Sequence, residues 1–270
     1  MKRKAAVAGI FYPANPHELR KMVSRMVPQQ IRKESAVCIV SPHAGFVYSG
    51  SVAGAVISTV NIPETCILIG PGHRHHESHF PLMSHGIWET PMGDVPVASG
   101  LAGSILKDSS LVVEDAAAHA SEHSLEVQLP FLLYFQGKLR IVPLLVAYHA
   151  DYEELEEIGT TLAHAVKRSG ENVLIVASTD MSHYVTAEVA KFKDSMAIDR
   201  ILDLDPRGLH DVVRAEDISM CGYQATTAAL CAAKMLGARR GDLIKYQNSG
   251  DITGDNREVV GYAGIKIARE

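Results

Sequence analysis

The segment Cys66-Ile-Leu-Ile-Gly-Pro-Gly-His73-Arg-His75-His76 sets a histidine just past a short apolar run, and His79 follows. Histidine is the commonest protein metal ligand and the side chain most readily used as a base near neutral pH. The arrangement recurs twice. Val37-Cys-Ile-Val40 ends in Ser41-Pro42-His43, and Asn172-Val-Leu-Ile-Val-Ala177 runs into Ser178-Thr179-Asp180-Met181-Ser182-His183. Taken singly, such a histidine can be a solvated loop residue or a turn residue bonded to backbone. Three at the ends of apolar runs suggest convergence on one metal or catalytic centre, because ligands bind outside the carboxyl ends of strands in open α/β sheets. Asp180 could orient an imidazole there or bind metal itself.

Two further groups could join that chemistry. His119, Glu122, His123, Ser124, Glu126 and Gln128 precede an apolar run. Ser124 could cap a helix through Leu125, Leu129, Leu132 and Leu133, leaving Glu122 and His123 at its mouth. There they either support the centre and touch substrate or serve as ordinary residues of a capped surface helix. Cys221 stands just before an Ala-rich stretch, Ala225 to Leu236, which reads as a buried helix. A helix start favours thiolate. Cys38 and Cys66 fall in apolar strands and Cys231 in an apolar helix, so these three read as packing residues.

The elements that must carry these residues alternate. Short apolar, partly β-branched runs at 37–40, 66–69, 141–146, 172–177, 243–247 and 259–267 read as strands. Between them, 16–27, 152–168 and 186–204 show helical spacing. Asn15 reads as the N-cap of the first helix, with Pro16 in its first turn and Glu18 at the capping-box position. Ala5 to Tyr12 reads as extended, and Trp88 to Asp94 as a hairpin turn in which Trp88 packs rather than binds. Asp251 and Asp255 are either turn formers or site-lining groups. Alternating strands and helices without repeats or linkers imply one α/β domain spanning 1–270, with a mixed or mostly parallel sheet flanked by helices.

Composition narrows the function. The 270 residues carry a net charge of −5 with a pI near 6.2, which argues against an electrostatic nucleic-acid binder. No apolar run approaches the roughly 20 residues of a membrane span. The basic start, Met1-Lys-Arg-Lys, is followed by an apolar run that ends too soon, at Phe11-Tyr12-Pro13, for a signal peptide. The expected compartment is the cytoplasm. There is no C-x-x-C pair, no phosphate-binding G-x-x-x-x-G-K-[ST] and no G-x-G-x-x-G after a strand.

Five motifs in order, Ser41-Pro42-His43-Ala44-Gly45-Phe46-Val47-Tyr48-Ser49-Gly50, Gly70-Pro71-Gly72-His73, Glu122-His123-Ser124-Leu125-Glu126, Ser178-Thr179-Asp180-Met181-Ser182-His183 and Met220-Cys221-Gly222, resemble the Memo family. In prokaryotes that family is also called AmmeMemoRadiSam system protein B. Gly9-Ile10-Phe11-Tyr12-Pro13, Ser249 to Asp255 and Val260-Gly261-Tyr262 look similar too, so the resemblance spans almost the whole chain. It implies a fold like that of class III, LigB-type extradiol dioxygenases and a metal site at His43, His73 and Cys221. It also implies that Asp180 and His183 line the same pocket. Fe(II) is the metal it implies first, with Cu(I) or Zn(II) as alternatives. In the ring-cleaving enzymes a carboxylate stands where this chain offers Cys221, and thiolate shifts a site toward softer or more reducing ions.

Three functions follow as expectations. One is a redox-linked metal-binding accessory protein, associated with a radical SAM protein and an AMMECR-like protein. The second is an iron dioxygenase-type oxidoreductase on an aromatic or small organic substrate. In that reading His183 is the base, oriented by Asp180 or Glu122, with His123 a further candidate catalytic group. The third is a peptide-binding module using the same cleft.

Overall fold

The computed structural model describes residues 1–29, 31–74 and 78–269. His75 and His76, which belong to the histidine run above, lie outside the described residues. In chain order the first elements are β1 (Lys2–Arg3), α1 (Pro16–Met26), β2 (Cys38–Ser41), α2 (Phe46–Ser58), β3 (Thr65–Pro71), β4 (Phe80–Leu82), β5 (Ile87–Trp88), β6 (Val95–Pro96), α3 (Ser99–Asp108) and β7 (Val112–Glu114). A 3-10 turn (Glu126–Gln128) then leads into α4 (Leu129–Phe135), β8 (Arg140–Val146), α5 (Tyr152–Ser169), β9 (Val173–Ser178) and β10 (His183–Val185). The chain continues through α6 (Ala187–Leu202), α7 (Pro206–Ala215), α8 (Tyr223–Met235), β11 (Arg240–Asn248), α9 (Gly250–Thr253) and β12 (Val259–Ala268).

Among the described residues, nine strands form one mixed sheet in the order β10-β12-β2-β9-β3-β8-β4-β7, with β11 paired to β12. Its centre, β2-β9-β3-β8, is parallel. Every residue of β2, β3 and β9 is buried. A strand buried on both pleat faces needs cover on both sides, which is why these runs are continuously apolar rather than alternating. α2 packs on β2, β11 and β12, and α8 packs on β2, β3, β8 and β9 and against α5.

Local chemistry explains the helix ends. Asn15 accepts hydrogen bonds from the His17 and Glu18 N–H groups and so caps α1. Asp151 and Glu154 close a capping box on α5, and Gly170 ends that helix with φ 65°.

Elsewhere the structure departs from the sequence expectation. Residues 5–12 curl rather than extend: Gly9, at φ 82°, donates its N–H to the Tyr12 carbonyl oxygen. Ser124 caps no helix. Its hydroxyl donates across to the Pro71 carbonyl oxygen at 3.0 Å, and α4 begins five residues later. Residues 250–253 form one helical turn, in which Asp251 accepts from the Asn248 N–H, while Asp255 pairs with Arg257, so both aspartates are turn formers. The helix α3 has no counterpart in the sequence reading. Trp88 is fully buried beneath Arg3, whose guanidinium lies 4.0 Å from the ring centroid. No helix among the described residues is long and apolar enough to cross a membrane.

Candidate metal centre

The register of the central strands decides where the histidines meet. Val40 of β2 and Ile69 of β3 both pair with Ala177 of β9, so the three strands end at one edge with β9 in the middle. His43 and His73 therefore emerge on either side of Asp180. The turn to α8 closes tightly on the same edge. A Cβ at Gly222 would sit 2.5 Å from the Ser178 carbonyl oxygen, so only glycine lets Cys221 approach.

The imidazoles of His43, His73 and His123 each offer a ring nitrogen within 4.8 Å of the others. The His73 and His123 rings stack at 4.5 Å between centroids, and His43 stands edge-on to both at 5.1 and 5.5 Å. The Cys221 sulfur lies 3.3 Å from His43 Nε2 but outside that cluster, in which His123 stands where the sequence reading placed the thiol.

Hydrogen bonding sets the tautomers. Ser178 donates its single hydroxyl proton to the Ser124 carbonyl oxygen at 2.6 Å and accepts from Gln128 Nε2 at 2.9 Å. His43 Nδ1, 3.0 Å from the same oxygen, must then be the donor, which leaves the lone pair on Nε2. His73 Nδ1 sits 2.9 Å from Glu122 Oε1, and a carboxylate only accepts, so its lone pair is on Nε2 as well. A ring nitrogen held by a carboxylate or hydroxyl while its partner nitrogen stays bare is the usual preparation of a histidine ligand.

Glu122 accepts from more than the imidazole. The N–H groups of His73, His123 and Ser124 all point at its carboxylate. Burial alone would raise its pKa. The His73 imidazole and these donors outweigh that and hold the carboxyl well below the usual carboxylate range. The imidazole that Glu122 orients is thus that of His73 and not that of His183. Asp180 orients no ring: its Oδ1 accepts the His43 and Ala44 N–H groups at 2.7 and 3.3 Å and holds the loop that carries His43. Burial pushes the Asp180 carboxyl up to about 6.

His183 stands at the rim. Its Nδ1 lies 2.8 Å from the Ser219 carbonyl oxygen, which makes Nδ1 the donor and leaves Nε2 as acceptor. Ser219 lines a cavity of about 860 Å³ that also touches His73, Cys221, Tyr148, His149, Arg214 and Tyr223. Cys221 lies two residues before α8. Desolvation raises its thiol pKa, reinforced by the Asp180 carboxylate, and this outweighs the helix-start effect expected from sequence. Cys38, Cys66 and Cys231 are buried away from this edge, and His164 is exposed on α5.

Sequence reasoning counted Gln128 in the polar cluster before α4 but gave neither it nor Ser178 a role at this site. Their one signal was a polar residue closing a wholly apolar strand and a glutamine facing an apolar helix start.

Burial also governs proton competition. It pulls the His43 imidazole well below its usual pKa, helped by His73 and His123, and brings His123 to about 4. As pH falls below 6.5 the unfolded His123 takes up a proton before the folded one does, so stability is present above 6.5 and is lost down to about 4. The metal-free protein should lose up to about 3 kcal/mol over that window relative to His123→Gln. Urea midpoints of both proteins from pH 7 to 4 give the result, and parallel slopes would refute it.

The donor set fits a transition metal. Around a tetrahedral ion a thiolate sulfur and an imidazole nitrogen stand about 3.5 Å apart, close to the 3.3 Å seen for Cys221 and His43. The imidazole nitrogens would close in from their present spacing by small ring rotations.

Comparison with known proteins gives this edge its context. A family model described as Memo-like protein matches residues 3–266. A MEMO1 family protein of Methanopyrus kandleri is 39% identical, covering 100% of both chains. One from Methanosarcina mazei is 42% identical over 98% of each. A crystal structure of an uncharacterized protein from Escherichia coli K12 superposes with a TM-score of 0.58, covering 84% of this chain and 98% of that one. At 13% identity that likeness shows the fold alone. By the family match and the full-length relatives, the chain belongs to the Memo family.

Proposed function

We propose that this protein holds one iron(II) or copper(I) ion on Nε2 of His43 and His73, with the Cys221 thiol and the His123 imidazole as the remaining donors. One observation carries the reading: both imidazoles have their Nδ1 atoms committed, to Ser178 and Glu122, so Nε2 of each carries the lone pair, that of His43 facing the Cys221 sulfur. Thiolate and imidazole together suit softer or redox-active ions. That favours a redox-linked metal-binding protein over an enzyme. The resemblance to AmmeMemoRadiSam system proteins supports association with radical SAM and AMMECR-like partners.

A second reading, an iron dioxygenase-type enzyme, is favoured by the cavity beside His73 and Cys221 and by the acceptor Nε2 that His183 keeps next to the cavity-lining Ser219. Iron would supply the binding and activation of oxygen. The chain's own part would be to seat the substrate between Tyr148, His149 and Tyr223, which could equally receive a peptide side chain.

One experiment separates the classes. The protein is loaded anaerobically with Fe(II), given a panel of catechols and then oxygen, and followed by absorbance of ring-opened product and by mass spectrometry of Cys221. The expected result is no multiple turnover and oxidation of Cys221, since a thiolate held beside oxygen is itself oxidisable. Metal-dependent multiple turnover with Cys221 intact would establish the enzyme instead.

A further inference from the structure

The opposite end of the sheet carries a second, chemically different cavity. It holds about 700 Å³ and lies where β2 and β9 begin, with Val37 and Val173 as its floor and Val166 and Leu236 as an apolar wall. Six residues of β9 separate it from the histidine edge, roughly 20 Å at strand rise.

Its charge is unlike that of the chain. The protein as a whole is at −5, yet Arg32, Lys33, Arg240 and Arg269 all line this cavity. Two carboxylates, Glu34 and Glu171, line it too, but each is already held by a cation from outside. Lys266 Nζ lies 2.7 Å from Glu34, and Arg140 Nη2 lies 3.0 Å from Glu171. Arg240 is paired with Asp242 at 3.0 Å and reaches Glu34 at 3.6 Å. Among the described residues that leaves three cations. Among the described residues Arg32 and Lys33 make no close ion pair, although the Arg32 charge helps to lower the Glu34 carboxyl, and Lys33 rests on the Phe135 ring. Arg269 donates its Nε to the Leu236 carbonyl oxygen at 3.1 Å, which orients the guanidinium without neutralising it. Asn61 and Asn172 add neutral polar groups to the same lining.

Like charges gathered round a concave surface repel one another, and an anion relieves that repulsion. Guanidinium groups suit phosphate best, since their planar donor forks match its oxygens. The apolar wall and a volume within the usual range for small-molecule pockets leave room for an organic body behind the charge.

We propose that this cavity binds a small phosphate-bearing molecule, with Arg32 and Arg269 as its principal anion contacts. The site stands independently of the metal reading, since it shares no residue with that edge.

The test uses metal-free full-length protein, so that phosphate has no metal to bind. Pyrophosphate and ADP are titrated calorimetrically at 150 mM KCl, against wild type, Arg32→Ala, Arg269→Ala and the double variant. Both probes should bind wild type with a sub-millimolar Kd. Each single variant should weaken binding by about tenfold or more, the usual consequence of losing one charged hydrogen-bond donor. Tighter binding of ADP than of pyrophosphate would assign the apolar wall to the organic body, and equal binding would assign recognition to the phosphates alone. Iron uptake and circular dichroism of the variants should match wild type, which excludes misfolding as the cause. The proposal is overturned by absence of binding at 5 mM probe, by equal binding to the double variant, or by equal binding of sulfate. Tight, steeply salt-dependent binding of a single-stranded oligonucleotide would overturn it in favour of a nucleic-acid surface.

Discussion

Alanine at His43 or at His73 will take anaerobic iron stoichiometry from near one per chain to near zero at micromolar protein. Metal-site free energies of about 10–16 kcal/mol spread over four donors give about 3 kcal/mol each, or more than roughly a hundredfold in affinity per ligand lost. Cys221→Ser and His123→Ala decide the rest of the donor set. If both bind, each variant loses comparable affinity. If Cys221→Ser keeps full affinity, the thiolate is no ligand and the site is built from His43, His73 and His123 alone. Ser178→Ala should fall between ligand loss and no effect. It leaves every donor atom in place but frees His43 Nδ1 from its acceptor, and partners of this kind are typically worth 10–100-fold. His183→Ala and His164→Ala should bind metal as wild type does, the first because its ring faces Ser219 at the rim and the second because it is exposed on α5. Loss of metal in His183→Ala would make that residue a ligand and break the assignment. Elemental analysis with optical spectra of anaerobically purified variants reads all of these outcomes.

The second large effect lies beneath the site. Glu126 is wholly buried, and its carboxylate accepts from Arg3 Nη1 at 2.6 Å, the Ala6 and Val7 N–H groups at 2.7 and 3.0 Å, and the Tyr12 hydroxyl at 2.5 Å. Arg3 is almost as buried and uses its other donors on the His119 and Glu122 carbonyl oxygens. Glu126→Ala strands a buried guanidinium and three further donors. Breaking a buried pair in this way costs about 3–5 kcal/mol, far more than the pair is worth against an apolar replacement. The exposed pair Lys2–Glu89 is the control, since Glu89→Ala should leave the midpoint almost unchanged. Because Arg3 holds the backbone of Glu122, metal affinity should fall along with stability. The double variant Arg3→Met, Glu126→Leu should recover much of the folding energy but not the metal affinity. Chemical denaturation and metal titration of the four proteins check this, and a Glu126→Ala midpoint within 1 kcal/mol of wild type would sink it.

The sequence by itself determined what depends on neighbours along the chain. The apolar runs at 37–40, 66–69 and 172–177 read as strands from their own residues, and the structure carries each one or two residues further at its carboxyl end. Proline and glycine at their ends placed His43 and His73 at the carboxyl edge, and Asn15 marked a helix start by its own side-chain chemistry. The order of the strands was not legible in that way. β9 enters between β2 and β3, which precede it by more than 100 residues, and no periodicity encodes that insertion. It alone sets His43 and His73 close enough to share an ion. Tertiary packing also chose His123, from a segment with no strand, as the third imidazole of the cluster and left His183 at the rim. It drew Ser124 away from capping a helix to the end of β3, gave Glu122 to His73, and gave Asp180 to the backbone of His43. The physical reason is common to all of these. A buried donor or acceptor must find a partner, and which partner lies in reach is settled by strand order and register, not by the residues beside it.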